Sequence, residues 1–460
     1  MKKGMVAYTL CFLFFALGAS EGKVLAQEKK KVWTLEECIW FGLENNVEVK
    51  QYELAKENQE ITVETTRYSR LPNLNANMGQ TFYFGRTPDR GGVYQDQTGS
   101  NASLGINSSV TLFNGFRIGH QIKAERMELL AAVEDLNRAR EDLSLAITGY
   151  YLQVLLTKEL LQIALDQLDL NKKQIEQTQW LVEGGKSPES DLYEARSTYA
   201  QQQMRVTDAA GNLQLALLEL TQSMNLEDPE AFEIAAPLVS EMIQKEAYAL
   251  ALPARAFAHS VLERPAIKAA TYRLEGSERQ LQIARSAYYP SLNLGAGYSN
   301  SYYYNYTLAT GMSNASFADQ LAQNRAQSIG LSIDIPLFNR MATRNRVRSA
   351  RLQVKNQELI LNKAKQDLFK EVQQAYYNAV VAYEKYVASQ AAAEAARKAY
   401  DFEEQKYTAG RSDIYAFEAV RTRLTSARSE LAQSKFNFLF RSRILAFYNG
   451  EDLIQSSLLP

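Results

Sequence analysis

The chain has 460 residues, 22% of them charged, with 51 basic against 52 acidic side chains and a formal net charge of −1. That balance gives no basis for a nucleic-acid partner, and two histidines are too few for a histidine-built metal site or general base. The length admits two or three globular domains.

Lys2 and Lys3 precede an apolar run from Val6 to Leu17, and Val24-Leu25-Ala26 offers compact residues before a cleavage point. Residues 1–26 therefore read as a secretory signal peptide, with an uncleaved anchor helix as the other reading. Cys11 lies inside this run and leaves with it. Cys38 is then the only thiol, so no intrachain disulfide can form, and its place in Leu35-Glu36-Glu37-Cys38-Ile39-Trp40 predicts a packed apolar residue. No later segment has about 18 uninterrupted apolar residues, the minimum for a membrane helix.

An opening helix is expected over 35–69, and a matching one over 253–286. Each feeds a Pro-led strand, at Leu71-Pro72-Asn73-Leu74-Asn75 and at Tyr289-Pro290-Ser291-Leu292-Asn293. Four runs alternate at period two. Their apolar positions are Leu74, Ala76 and Met78; Leu104, Ile106, Val110 and Leu112; Leu292, Leu294, Ala296 and Tyr298; and Ile329, Leu331, Ile333, Ile335 and Leu337. The intervening positions are small and hydrophilic. Each run is about ten residues, the length of a tilted strand crossing a bilayer. Aromatic clusters follow at Phe82, Tyr83 and Phe84 and at Tyr302, Tyr303 and Tyr304, where an interfacial belt is expected. Polar loops are expected over 86–101 and 305–327. A soluble sheet with one wet face would show the same alternation, but the rod-like helices are poorly shaped to cover it. Four strands cannot close a barrel, and open edges are forbidden in lipid, so several chains must pool their strands.

Each pair of strands is followed by a stretch of about 70 residues almost free of Pro and Gly, on the order of 100 Å of helix at 1.5 Å per residue. A heptad seam of small residues runs through Leu368, Val372, Ala375, Ala379, Ala382, Tyr386, Ser389, Ala393, Ala396 and Tyr400. Its counterparts in the first copy include Ile147, Tyr150, Val154, Thr157 and Asn171. Gly185 and Gly410 fit the left-handed stop of each long helix, and return helices follow. Leu112-Phe113-Asn114 and Leu337-Phe338-Asn339 stand 225 residues apart, as do Gly185 and Gly410. The unit of strand, loop, strand, long helix, turn and helix thus occurs twice. The expected divisions are a first repeat over 27–226, a connector over 227–252, a second repeat over 253–448 and a tail over 449–460. The fold class is mainly α, with long coiled-coil hairpins and a small membrane β part.

These residues resemble the TolC family of outer-membrane efflux proteins. The carrying features are Thr34-Leu35-Glu36-Glu37-Cys38 with Leu43-Glu44-Asn45-Asn46, the two Pro-led strands, the paired Leu-Phe-Asn ends, and Tyr407-Thr408-Ala409-Gly410. Each is weak alone; their order, spacing and duplication are specific, and they span nearly all of the processed chain. The resemblance implies a homotrimer whose strands form a twelve-stranded barrel in outer-membrane lipid and whose helices continue it as a tunnel through the periplasm of a Gram-negative-type bacterium. It further implies a passive duct rather than an enzyme, with no cofactor, that docks a periplasmic adaptor and an inner-membrane pump of the RND or ABC type. By resemblance Tyr407 is a gate tyrosine, Asp191 its carboxylate partner, and Glu194 and Glu418 an acidic lining; the family's gate basic residue falls at Ser412, with Arg411 beside it as the expected counter-charge. Asp191 and Glu418 also suit an ordinary solvated helix face with N-terminal charge compensation. The turns Gly185-Lys186-Ser187 and Gly410-Arg411-Ser412 are the expected adaptor-docking tips. A periplasmic coiled-coil structural or adaptor protein would explain the helices but not the four strands. An autonomous porin or enzyme barrel fails on strand count and on missing acid–base residues.

Overall fold

The computed structural model describes residues 31–88, 92–226, 232–235, 243, 253–308, 312–409 and 411–450. The expected signal peptide, most of the 227–252 connector, Gly410 and the tail beyond Gly450 lie outside the described residues.

The elements run β1 (Lys31–Trp33), α1 (Leu35–Asn45), α2 (Val47–Tyr68), β2 (Asn73–Pro88), β3 (Tyr94–Asn114), α3 (Arg117–Glu183), α4 (Glu189–Ser223), β4 (Phe232–Ile234). They continue with α5 (Pro253–Glu263), α6 (Pro265–Ser286), β5 (Ser291–Asn305), α7 (Phe317–Gln323), β6 (Ala326–Asp334), α8 (Ala342–Thr408) and α9 (Ile414–Tyr448). The long helices α3 and α8 have 67 residues each, and the return helices α4 and α9 have 35 each. At 1.5 Å per residue the long helices are about 100 Å. Among the described residues no helix is long and apolar enough to cross a membrane.

Both expected opening helices are broken once. The first stops at Asn46, whose extended backbone interrupts the helical ladder (ψ 131°) while its side chain caps α2 by accepting from Glu48 N and Val49 N. Its amide also donates to Ser223 O at 2.9 Å, which fixes the break against the end of α4. The second stops at Arg264, because Pro265 disfavours helical backbone before it and suits the first position of α6.

The strand-to-helix corners are alike in the two copies. Gly115 and Phe116 have φ of 65° and 63°, and Arg340 and Met341 have 52° and 64°. Two successive left-handed residues turn the chain from strand into long helix. Asn114 and Asn339 then accept from Ile118 N at 3.4 Å and Thr343 N at 3.5 Å, which gives the repeated Leu-Phe-Asn a capping role. In the first corner a side chain at Gly115 would meet Ser286 O at 2.6 Å.

The four long strands form one antiparallel sheet in the order β2-β3-β5-β6. They are longer than the alternation alone suggests: 16, 21, 15 and 9 residues. The expected loop over 86–101 is mostly ladder, because polar side chains pair as well as apolar ones where the sheet faces water. The expected loop over 305–327 contains α7. Fourth-strand pairing stops at Asp334, since Pro336 has no N–H to donate, so Ile335 and Leu337 lie beyond it.

Below the sheet, α3 packs along α4, α8 along α9, and α6 lies against both long helices. The seam expected in α8 is buried at every position except Tyr386, which is half-buried. In α3 the counterparts Ile147, Val154, Thr157 and Asn171 are buried, and Tyr150 is exposed because α1 and α4 shift the packed stripe toward Tyr151 and Leu155. The largest apolar cluster includes Cys38, Ile39, Ile147, Leu220, Met224, Phe438 and Leu439. The short parallel pair β1–β4 caps it, held by Tyr151 Oη donating to Ala235 O at 2.6 Å.

Candidate functional site

Two regions carry function-bearing geometry: the faces of the sheet, and the tips of the helical hairpins. Strand alternation with the observed register sorts every sheet residue. Met78 pairs with Leu104, Ile106 with Tyr298, Val110 with Leu294, and Leu294 with Leu331, so one face is apolar across all four strands. On it Leu74, Met78 and Ile329 are 75%, 84% and 83% exposed. Each such side chain forgoes about 1.5–3 kcal/mol by staying in water, so a sheet with this face bare must be covered.

The opposite face is small and hydrophilic. Asn75, Asn107, Gly297 and Ser328 form one row across the strands, and Asn73, Ser109, Gly295 and Gly330 the next. Asn107 donates to Asn77 at 2.9 Å and Thr111 to Asn293 at 2.9 Å, so the rows are stitched by neutral amides and hydroxyls. Among the described residues the sheet has two open edges, β2 and β6.

The aromatic clusters meet at one level, with Ser100 paired to both Phe82 and Tyr304. Phe82, Phe84, Tyr302 and Tyr304 stand on the apolar face. Tyr83 and Tyr303 do not, which corrects the six-residue belt: consecutive strand residues alternate faces. Tyr83 lies across Gly99, where a Cβ would sit 2.3 Å from its hydroxyl oxygen.

At the tips, α3 ends in a left-handed Gly185 with Lys186 N bonded to Leu181 O and Gly185 N to Val182 O, the two bonds of a Schellman stop. Pro188 takes the N-cap position of α4, and Asp413 caps α9 through Ala416 N at 2.8 Å. Lys186 and Arg411 are exposed on these turns, and Ser412 donates to Glu403.

Behind the α8–α9 turn is a buried polar cluster. Tyr407 stacks on buried Phe417, with centroids 4.7 Å apart and planes 9° from parallel. Arg421, buried on α9, donates to Gln174 Oε1 on α3 at 2.6 Å and to Glu418, and lies 5.9 Å over the Phe417 ring. Burial first, and then the neighbouring Glu194, hold the Glu418 carboxyl above its usual range, with Arg421 pulling it back. Burial likewise raises the Tyr407 phenol, helped by the charges of Asp191 and Glu418, with the nearby Thr178 and Gln174 side chains pulling the other way. Farther from the turn, the α3–α9 seam continues with Thr425 donating to Gln167 at 2.8 Å and Lys435 to Glu159 at 2.6 Å.

Glu194 and Glu418 line one groove with Arg421, and Asp191 and Glu418 act on Tyr407 through their charges, but the set does not pair as the resemblance implied. Asp191 accepts from Ser187 at 2.6 Å and Ser190 at 3.3 Å, partners in its own turn, and reaches Tyr407 only through its charge. Arg411 faces solvent, and the buried cation is Arg421. The Glu418–Arg421 spacing of three residues, one helical turn, was the signal for it. Gln174 offered none, because a lone glutamine in a long helix reads as surface.

A family model described as outer membrane efflux protein matches residues 42–226 and 259–450. Protein CyaE of Bordetella pertussis is 24% identical over 275 residues, covering 60% of this chain and 54% of that protein, so the match spans about half the relative's length. The cation efflux system protein CusC of Escherichia coli O157:H7 is 25% identical over 368 residues, 75% of this chain and 72% of that one. A crystal structure of a membrane protein from Pseudomonas aeruginosa superposes with a TM-score of 0.75 at 18% identity, over 90% of each chain, and shows the shared fold.

Proposed function

The chain belongs to the outer membrane efflux protein family, and on that premise we propose that it is one third of a passive exit duct. Three copies pool their sheets into a twelve-stranded barrel, and their helical hairpins extend it as a tunnel about 100 Å long. The carrying observation is the continuous apolar face over four strands with both sheet edges unpaired. Lipid satisfies the face, and closure with further copies satisfies the edges; neither alone does both. A soluble coiled-coil protein has no use for such a face.

The wet face then lines the barrel. Its amides, hydroxyls and glycines are interrupted by one carboxylate per copy, Asp334 at the helical end of β6, so passage along most of the barrel is little selective, and energy comes from an inner-membrane pump reached through a periplasmic adaptor at the exposed Lys186 and Arg411 turns. The narrow point is the hairpin tip, where Arg421, Glu418 and Gln174 tie α9 to α3 and the Tyr407–Phe417 stack ties α8 to α9. Asp191 and Glu194 add negative charge around it. Adaptor binding opens the duct by separating these helices.

Membrane fractionation with planar-bilayer recording tests the reading. The protein is expected in the outer-membrane fraction and to give stepwise conductance when purified. Recovery in the soluble periplasm, with no conductance, would overturn it.

A further inference from the structure

β6 is too short for its neighbour. Its pairing with β5 stops at Ala326 against Ser299, whereas β5 continues to Asn305, still paired on its other side to Gly99 of β3. Along an antiparallel strand, alternate residues direct N–H and C=O to the same neighbour, so Ser301, Tyr303 and Asn305 face the side β6 has vacated. Three side-chain amides fill it. Asn324 donates to Ser301 O at 2.8 Å. Gln320 accepts from Tyr303 N and donates to Tyr303 O, both at 2.9 Å, and Asn314 does the same for Asn305, both at 2.9 Å. Asn300 secures the insert from the strand by donating to Leu321 O at 2.8 Å, and Phe317 packs edge-on to Tyr302 at 5.1 Å.

We propose that residues 312–325 replace the missing upper half of β6 with side chains and form the rim seam with the next copy of this chain. The inference rests on the trimer reading above. Since the edge of β5 is already satisfied, no further strand can add there, and whatever lies beyond must pack by side chains. Leu321 and Phe317 remain 37% and 58% exposed for that contact. In a closed ring the next strand past β6 is β2 of the neighbouring copy. β2 has 16 residues against 9 in β6, so its upper part outruns its strand partner. That part carries Phe82 and Phe84, 57% and 78% exposed on the same apolar face as Tyr302. The insert of one copy meets these two rings of the next, which closes a notch that would otherwise join lipid to lumen.

The test is oxidative cross-linking of the full-length chain in outer membranes. Leu321→Cys is combined in turn with Phe82→Cys and Phe84→Cys, with each single variant as control and native mass spectrometry run in parallel. The expected result is covalent two- and three-copy bands from at least one pair and from no single variant. Three-copy particles with no covalent band from either pair would overturn the inference while leaving the assembly intact. Absence of three-copy particles in the unmodified chain would overturn the trimer reading itself. A combined Asn314→Ala, Gln320→Ala and Asn324→Ala variant should lower the temperature at which the trimer dissociates in detergent; an unchanged temperature would count against the seam.

Discussion

Arg421→Ala is the most informative single change, because Arg421 touches both hairpins. It removes the 2.6 Å bond to Gln174, a bond to a charged group that contributes about 1.5–3 kcal/mol. It removes the guanidinium over Phe417, 5.9 Å from the ring centre, which contributes about 0.5–1 kcal/mol. It also leaves Glu418 without its cation. The full cost of about 3–5 kcal/mol for halving a buried pair is not reached: the Glu418 side chain is 27% exposed and its raised pKa lets it take a proton. A net loss of about 3 kcal/mol per copy, at 1.4 kcal/mol per tenfold, shifts the closed-to-open balance of the tip by roughly a hundredfold. In planar bilayers the variant should show larger single-channel conductance, and amide exchange over 414–424 should quicken while exchange in the Ile147 and Phe438 region stays slow. Native conductance together with native exchange at the tip would refute the assignment of Arg421 as the tie between α9 and α3.

Four further outcomes follow from the same structure. Glu418 has a raised folded-state pKa, so its contribution is complete below the ordinary carboxylate value of 4.5 and is lost as pH rises through the raised value; conductance should therefore fall on acidification, and Glu418→Gln should flatten that dependence. Tyr151→Phe loses the bond to Ala235 O and should cost about 1 kcal/mol, read as a lowered melting temperature with the pore unchanged. Gly115→Ala places a side chain at φ 65° against Ser286 O, at a cost of at least about 1–3 kcal/mol, and should reduce assembled protein in the membrane, whereas Gly211→Ala, with open space around it, should not. Reversing charge at both Lys186 and Arg411 should abolish efflux in cells while leaving assembled protein in the outer membrane; surviving export would remove these turns as the docking site.

The repeat was legible because its signals are periodic: alternation at two for strands, a heptad seam for the long helices, and two Leu-Phe-Asn ends in register. Breaks within helices were less so. Asn46 stops one by accepting backbone N–H groups ahead of it while bonding Ser223 far along the chain, and only the second of these is invisible locally. Strand extents are longer than the alternation suggests because hydrophobic alternation marks only the part of a strand with an apolar face, whereas β2 and β3 continue as a polar hairpin. At the tip, the residues named by resemblance take other partners than the resemblance implies. Ser187 competes successfully for Asp191 because it lies within the same turn, and Arg421 is buried by α3, a packing that no local pattern encodes. Likewise, Asn314, Gln320 and Asn324 read as loop polarity until β5 supplies the edge they satisfy.

Native mass spectrometry of the detergent-extracted protein, with circular dichroism on the same sample, tests the central claim most directly. Four strands with a bare apolar face and two open edges require neighbours, so the account predicts a three-chain particle that retains its strand signal. A stable single chain with that signal intact would contradict it.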